Sequence, residues 1–163
     1  MTATLREKAG LTLPEVMLAA VIIAVAVLAL VGLFPTALQN VRYGGHMSQA
    51  SSLAQEMIEL IRTRSFSEVS QVASYVATNG PLDTRNPTPP TLPLAVKNHL
   101  TQWRTDIAPL NPAGALPQGW GTIAVVAPDP VALPDLLQVT IIVGWRESGN
   151  QTITIVTYVA RYG

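Results

Sequence analysis

The chain has no cysteine, few charged residues and few aromatic residues. Without cysteine it can form neither a disulfide framework nor a thiolate metal site, and cysteine usage does not reveal its redox compartment. Charged residues make up 12% of its 163 residues, and the formal net charge at pH 7 is zero. A neutral chain has no excess of positive charge for the nucleic acid backbone, so direct nucleic-acid binding is not expected.

Motifs of common catalytic and metal sites are also missing. The only histidines, His46 and His99, lie neither in a two-histidine metal spacing nor beside a nucleophile motif, and we expect them at the surface or at helix caps. No GxxxxGK[ST] phosphate loop occurs. Asp129 and Asp135 offer oxygen ligands for Ca²⁺ on one loop, but we interpret them as solvated carboxylates. The sequence thus predicts a protein that is not an enzyme and holds no metal or cofactor.

One long apolar run stands out near the N-terminus. Residues 16–34 contain no charge, and as a helix these roughly 19 residues would reach about 28 Å, close to the thickness of a bilayer core. Arg6 and Lys8 precede the run, so the positive-inside tendency places residues 1–10 in the cytoplasm and the chain after Pro35 outside. The alternative is a secretory signal that is removed. It fits poorly, because Pro35 would occupy position −3 of the only site behind the run.

The junction before this run is Gly10 followed by Leu11-Thr12-Leu13-Pro14-Glu15-Val16. It resembles the cleavage site of type IV prepilins and pseudopilins, although this family usually has Phe in place of Leu11. The resemblance implies that a prepilin peptidase cuts between Gly10 and Leu11 and methylates the new amino terminus on Leu11. It also implies that Glu15 meets the terminal amine of a subunit already in a filament. Without the resemblance, Glu15 would be only a carboxylate favoured by the helix dipole.

The chain between the run and residue 64 has a helical pattern with two weak points. Gly32 and Pro35 predict a kink or local melting near the outer face of the membrane, and Gly44-Gly45 predicts an interruption. Beyond these glycines, apolar residues at i, i+3 and i+4 spacing predict an amphipathic helix that packs against the rest of the chain. These residues are Ala50, Leu53, Ala54, Met57, Ile58 and Ile61.

The remaining residues indicate a small α+β head. Residues 78–93 are rich in proline and turn formers and predict an irregular loop. Residues 94–107 predict a second helix, with Trp103 in the core over a sheet. Alternating β-branched residues predict an antiparallel sheet of at least three strands, with a hairpin turn at Ser148-Gly149-Asn150. The predicted strands are residues 120–126, 136–146 and 151–161.

Several stretches of the head resemble the PilV-type minor pilins, also called type IV pilus modification proteins. They are Gln102-Trp103-Arg104, Leu116-Pro117-Gln118-Gly119-Trp120-Gly121, Leu137-Gln138-Val139-Thr140, Gly144-Trp145-Arg146 and the helix 53–62. The resemblance implies a pilin-like lollipop, in which a long N-terminal helix packs on a small antiparallel sheet. Its parts are a cleaved leader (1–10), a helix (11–64) spanning the membrane over about 16–34, and an extracytoplasmic head (65–163).

The expected function is that of a minor pilin, processed by prepilin peptidase and assembled in a type IV pilus or priming one. Its partners would be that peptidase, other pilins or pseudopilins and, before assembly, the inner membrane; after assembly it would lie in a pilus or at the cell surface. Two alternatives stay open. One is a pseudopilin of a type II secretion or DNA-uptake system. The other is a membrane-anchored extracytoplasmic enzyme or binding module.

Overall fold

The computed structural model describes residues 12–107, 116–147 and 149–161, which form an α+β protein with a long N-terminal helix and a four-stranded antiparallel sheet. In chain order the elements are α1 (Leu13–Arg62), α2 (Phe66–Asn79), β1 (Leu82–Asp83), α3 (Leu94–Ile107), β2 (Trp120–Val126), β3 (Leu136–Arg146) and β4 (Asn150–Ala160). The contacts divide the chain into two compact units, one ending at Tyr43 and the other beginning at Gly44.

Helix α1 is continuous over 50 residues and includes Pro35. The interruption predicted at Gly44-Gly45 is therefore wrong, since each glycine lowers helix propensity by only about 1 kcal/mol and the packing of the following turns outweighs this cost. The chain also stays helical at Gly32 and Pro35, so local melting does not occur there. A kink at this point stays a prediction.

The sheet has the strand order β1-β2-β3-β4, and every neighbouring pair is antiparallel. The three predicted strands are confirmed, with β4 beginning and ending one residue earlier than expected. Ile123, Ile141 and Ile155 are aligned across β2, β3 and β4, so alternate residues of each strand face the same side. One side of the sheet faces the core, and the other carries Thr122, Thr154 and their neighbours.

The core of the second unit lies between the inner side of the sheet and the three helices. Five of the six residues of the predicted apolar stripe of α1 are buried, with Ala50 and Ala54 fully inaccessible to solvent, and the sixth, Ile61, is half-buried. The predicted helix at residues 94–107 is α3, and its Trp103 is buried: Nε1 donates to the Leu53 carbonyl of α1 at 3.0 Å. A Cβ at Gly121 would overlap the Trp103 ring, so this strand and this indole require a glycine between them.

The sequence analysis missed helix α2 and strand β1. Helix α2 begins at a capping box, in which the Glu68 N–H donates to Ser65 Oγ at 3.4 Å and the Ser65 N–H donates to Glu68 Oε2 at 3.2 Å. Its buried residues are Val69, Val72 and Val76. Strand β1 lies inside the stretch 78–93 that was predicted to be irregular throughout, where it pairs with only two residues of β2.

Candidate functional site

The most unusual surface of the protein is the first part of α1, residues 13–43, here called the exposed segment. Every one of its residues is exposed, and its large apolar side chains from Leu13 to Phe34 each expose between 51 and 74% of their area. Covering one such side chain is worth about 1.5–3 kcal/mol. The segment therefore gains a large free energy from any apolar environment, whether lipid or other helices.

Its length and composition suit a membrane. Among the described residues, α1 is the only helix both long enough and apolar enough to cross one. Residues 16–41 carry no charge, and Glu15 and Arg42 stand at the two ends of this stretch. An apolar α-helix needs about 20 residues to span a bilayer core, which residues 16–34 nearly supply.

Glu15 lies in the first turn of α1. The carbonyl of Thr12 accepts hydrogen bonds from the N–H groups of Glu15 (3.0 Å) and Val16 (3.2 Å), so the helical bonding begins at Thr12. Pro14 falls in this first turn, where a missing N–H breaks no intrahelical bond. Within the described residues Glu15 has no ion-pair partner. Its carboxylate is exposed at the positive end of the helix dipole and is available to a cation from outside.

The predicted processing residues, Gly10 and Leu11, lie outside the described residues. The predicted kink residues, Gly32 and Pro35, lie within the exposed segment and are exposed. Of the predicted assembly and processing residues, the structure thus places Glu15 at the start of a long apolar helix and leaves cleavage and methylation as predictions.

The two histidines bond to protein groups. His46 Nδ1 lies 3.3 Å from Glu147 Oε2, which joins α1 to the turn between β3 and β4. His99 Nε2 contacts the guanidinium of Arg64.

The loop carboxylates considered for Ca²⁺ also have protein partners. Asp129 Oδ1 accepts from the N–H groups of Val131 (3.0 Å) and Ala132 (2.9 Å), and Asp135 lies 3.6 Å from Arg161. In the part of the chain that the structure describes, no three His, Cys, Asp or Glu side chains form a group that could hold a metal ion.

A stacked arrangement on the outer side of the sheet was not predicted. Arg85 Nε donates to both carboxylate oxygens of Asp83, at 3.0 and 3.1 Å, and its guanidinium lies 4.8 Å from the centre of the Trp120 ring. A Cβ at Gly144 would overlap that ring, so Trp120 lies flat on the sheet between Gly144 and Arg85. The hydrogen bonds from the Arg85 side chain hold the pKa of the Asp83 carboxyl below its usual value.

Comparison of the chain with protein-family models, with curated proteins and with solved structures found no match. The resemblance to type IV prepilins consequently rests on the quoted motifs alone.

Proposed function

We propose that this protein is a structural subunit of the type IV pilin kind, a minor pilin that is assembled in a pilus or primes one. The observation that carries the proposal is the exposed segment, whose uncharged apolar stretch, residues 16–41, is left uncovered by the described residues. A structural subunit needs such a surface twice, first in the membrane and then against the helices of its neighbours.

Glu15 would set the register of that packing. An unpaired carboxylate among packed apolar helices is strongly unfavourable, whereas a neighbouring cation compensates much of its desolvation. The amine created on Leu11 by cleavage after Gly10 would supply this cation from the preceding subunit. Before assembly, the same carboxylate would lie near the headgroups, where water and the helix dipole stabilise it.

The location follows from the same features. The helix would anchor the protein in the inner membrane as a single span, with the head outside the cytoplasm because Arg6 and Lys8 precede the apolar run. Prepilin peptidase and other pilins would be its partners. After assembly the protein would lie in a pilus or at the cell surface.

Processing and co-purification distinguish the two alternatives from this proposal. A pseudopilin of a secretion or DNA-uptake system would be processed at the same junction and would use Glu15 in the same way. It would co-purify with that machine and not with sheared pili. An anchored enzyme or binding module would keep the apolar helix but would need no processing after Gly10.

The decisive experiment is the intact mass of the full-length protein purified from membranes of its own host. We expect a chain that has lost residues 1–10 and gained one methyl group on Leu11. A host strain without prepilin peptidase provides the control, and there the protein should keep its full mass. An unprocessed chain in the normal host would overturn the pilin proposal.

A further inference from the structure

Strand β4 leaves one edge of the sheet open. It is the last strand in the order and pairs only with β3. Its 11 residues form an edge about 36 Å long, from which alternate residues direct their N–H and C=O groups outward. Within the described parts of the chain, no further backbone hydrogen bond reaches residues 152–160.

This edge lacks the features that normally block strand addition. Proteins protect long edges with lysine, proline, bulges or short strands. Asn150–Ala160 contains no charged residue, no proline and no glycine, and its pairing with β3 runs without a bulge. Helix α2 packs on β2 and β3, and α3 packs on β2, so Ile153 and Ile155 of β4 stay only half-buried. An added strand would pair the backbone and cover these side chains as well.

A basic cleft lies at the C-terminal end of this edge. It has a volume of about 520 Å³, and three arginines but no carboxylate line it. Arg161 and Arg62 do have exposed partners, Asp135 at 3.6 Å and Glu59 at 4.0 Å. Exposed pairs of this kind contribute only about 0–1 kcal/mol, so an incoming carboxylate can compete with them. The residues of this arginine cleft are Arg62, Arg64, Ser65, Phe66 and 158–161.

The geometry of α1 disfavours a second copy of the chain as the occupant. His46 of α1 meets Glu147 just before β4 begins, and Arg62 lies at the cleft where β4 ends, so α1 runs alongside β4 in the same direction. An antiparallel pair of β4 strands from two copies would therefore reverse one α1 relative to the other. Two copies whose residues 46–62 both point away from the same membrane, as the proposed function requires, cannot pair in that way. A parallel pair in register would bring the two Arg161 side chains together.

We propose that the open edge of β4 and the arginine cleft bind an extended segment of a different protein. That segment is uncharged where it lies along β4 and carries an acidic group at the end that reaches the cleft. Backbone hydrogen bonds supply the affinity, as in other cases of strand addition, and the acidic end fixes direction and register. The exclusion of a second copy rests on the proposed function, whereas the edge and the cleft both belong to the second compact unit.

Synthetic peptides test this binding mode. The probes are fluorescent ten-residue peptides of alternating threonine and valine that carry two glutamates at either the C-terminus or the N-terminus, which covers parallel and antiparallel binding. Matched peptides carry two lysines instead. Fluorescence anisotropy is measured with the full chain in detergent micelles, and empty micelles serve as a blank. We expect one glutamate peptide to bind at least tenfold more tightly than its lysine counterpart.

Protein variants locate the charge that causes this preference. Arg161→Glu should abolish it, because the substitution places an acid beside the two remaining arginines of the cleft. Arg42→Glu makes the same change in net charge at a residue that does not line the cleft, and it should leave the preference intact. Equal binding of the glutamate and lysine peptides, or an equal effect of both variants, would overturn the role of the cleft.

Backbone methylation of the peptide tests strand addition itself. Methyl groups on one set of alternate nitrogens remove the donors that face β4, whereas the other set faces solvent. One methylated peptide should lose binding at least tenfold, and the other should bind normally. Equal affinity of both would overturn strand addition.

Self-pairing has its own test, since the chain has no native cysteine. Val156→Cys places one thiol on β4. Efficient disulfide formation between two such chains, unaffected by peptide, would show that a second copy occupies the edge and would overturn the partner assignment. The two proposals can fail separately. If the N-terminus is cleaved and methylated but no peptide binds, strand addition is wrong and the pilin proposal is unaffected.

Discussion

At the residue scale, Glu15 is the only charged side chain of α1 before Arg42. Glu15→Val should leave cleavage and membrane insertion intact, because the change is away from the scissile bond and makes the helix more apolar. Incorporation into pili should fall at least tenfold, since a neighbour's unpaired amine costs more than about 1.4 kcal/mol. Immunoblots of sheared fibres and of whole cells measure both effects.

Glu59→Val is the matched control for this substitution, because Glu59 is an exposed carboxylate of the same helix within the second compact unit. It should assemble normally. Normal assembly of the Glu15→Val protein as well would remove Glu15 from the proposed role.

Gly144 is required by the ring of Trp120, which occupies the space that a side chain would fill. Gly144→Ala should destabilise the head by about 1–3 kcal/mol, as expected for overpacking at a rigid site. Urea unfolding followed by tryptophan fluorescence measures the loss. Gly149→Ala is the control, because a Cβ there meets nothing within 4 Å, and it should change stability by less than about 0.5 kcal/mol. Equal stability of the two variants would show that Trp120 moves aside freely.

At the element scale, the short strand β1 is held to the sheet by the stack of Asp83, Arg85 and Trp120. The pKa of Asp83 is lowered in the folded protein, so its contribution is present above the unfolded value and is lost as the pH falls through the folded value. Asp83→Asn should therefore reduce stability at pH 7 by up to about 1 kcal/mol and have a smaller effect near pH 2. Unfolding curves at both pH values measure this difference. An equal loss of stability at pH 7 and pH 2 would show that the ionised Asp83 carboxylate is not the cause of the loss.

The elements that could be predicted from the sequence are those with a clear period and clear ends. Strands β2 to β4 alternate over 7 to 11 residues, and α3 repeats its apolar residues every three or four positions. Helix α2 carries readable signals too: the capping pair Ser65 and Glu68, and valines at helical spacing. Its three serines and one threonine have low helix propensity and weaken the pattern. Strand β1 has only two residues, and its pairing with β2 joins residues about 40 positions apart, which no local pattern can indicate.

The candidate site divides in the same way. The exposed segment and Glu15 are readable because hydropathy and charge are properties of single residues in order. The stack of Arg85 on Trp120 and the meeting of Arg62 and Arg64 with Arg161 are not readable, because each brings together residues far apart in the chain. In the sequence, the tryptophans that directly precede an arginine are Trp103 and Trp145. Both are core residues, so this local pattern does not reveal the tryptophan on which an arginine stacks.

At the scale of the whole molecule, the exposed segment should decide where the protein goes. Val25→Arg places a charge at the centre of residues 16–34 and should make insertion less favourable by about 2.5–3.5 kcal/mol, roughly a hundredfold in partition. The fraction of full-length protein in carbonate-washed membranes measures it. Val41→Arg, exposed but beyond the span, should insert normally. Unchanged insertion of both variants would mean that the segment is no membrane anchor.

The apolar stripe of α1 has a consequence for the order of events during synthesis. Met57 and Ile58 leave the ribosome early, but β3 and β4, which complete the sheet beneath the core, are made roughly 80 to 100 residues later. At translation speeds of about 5–20 residues per second, the apolar stripe is synthesised roughly 4 to 20 s before the strands that bury it. During that interval the apolar stripe is exposed to water, and the incomplete second unit is at its most prone to aggregate.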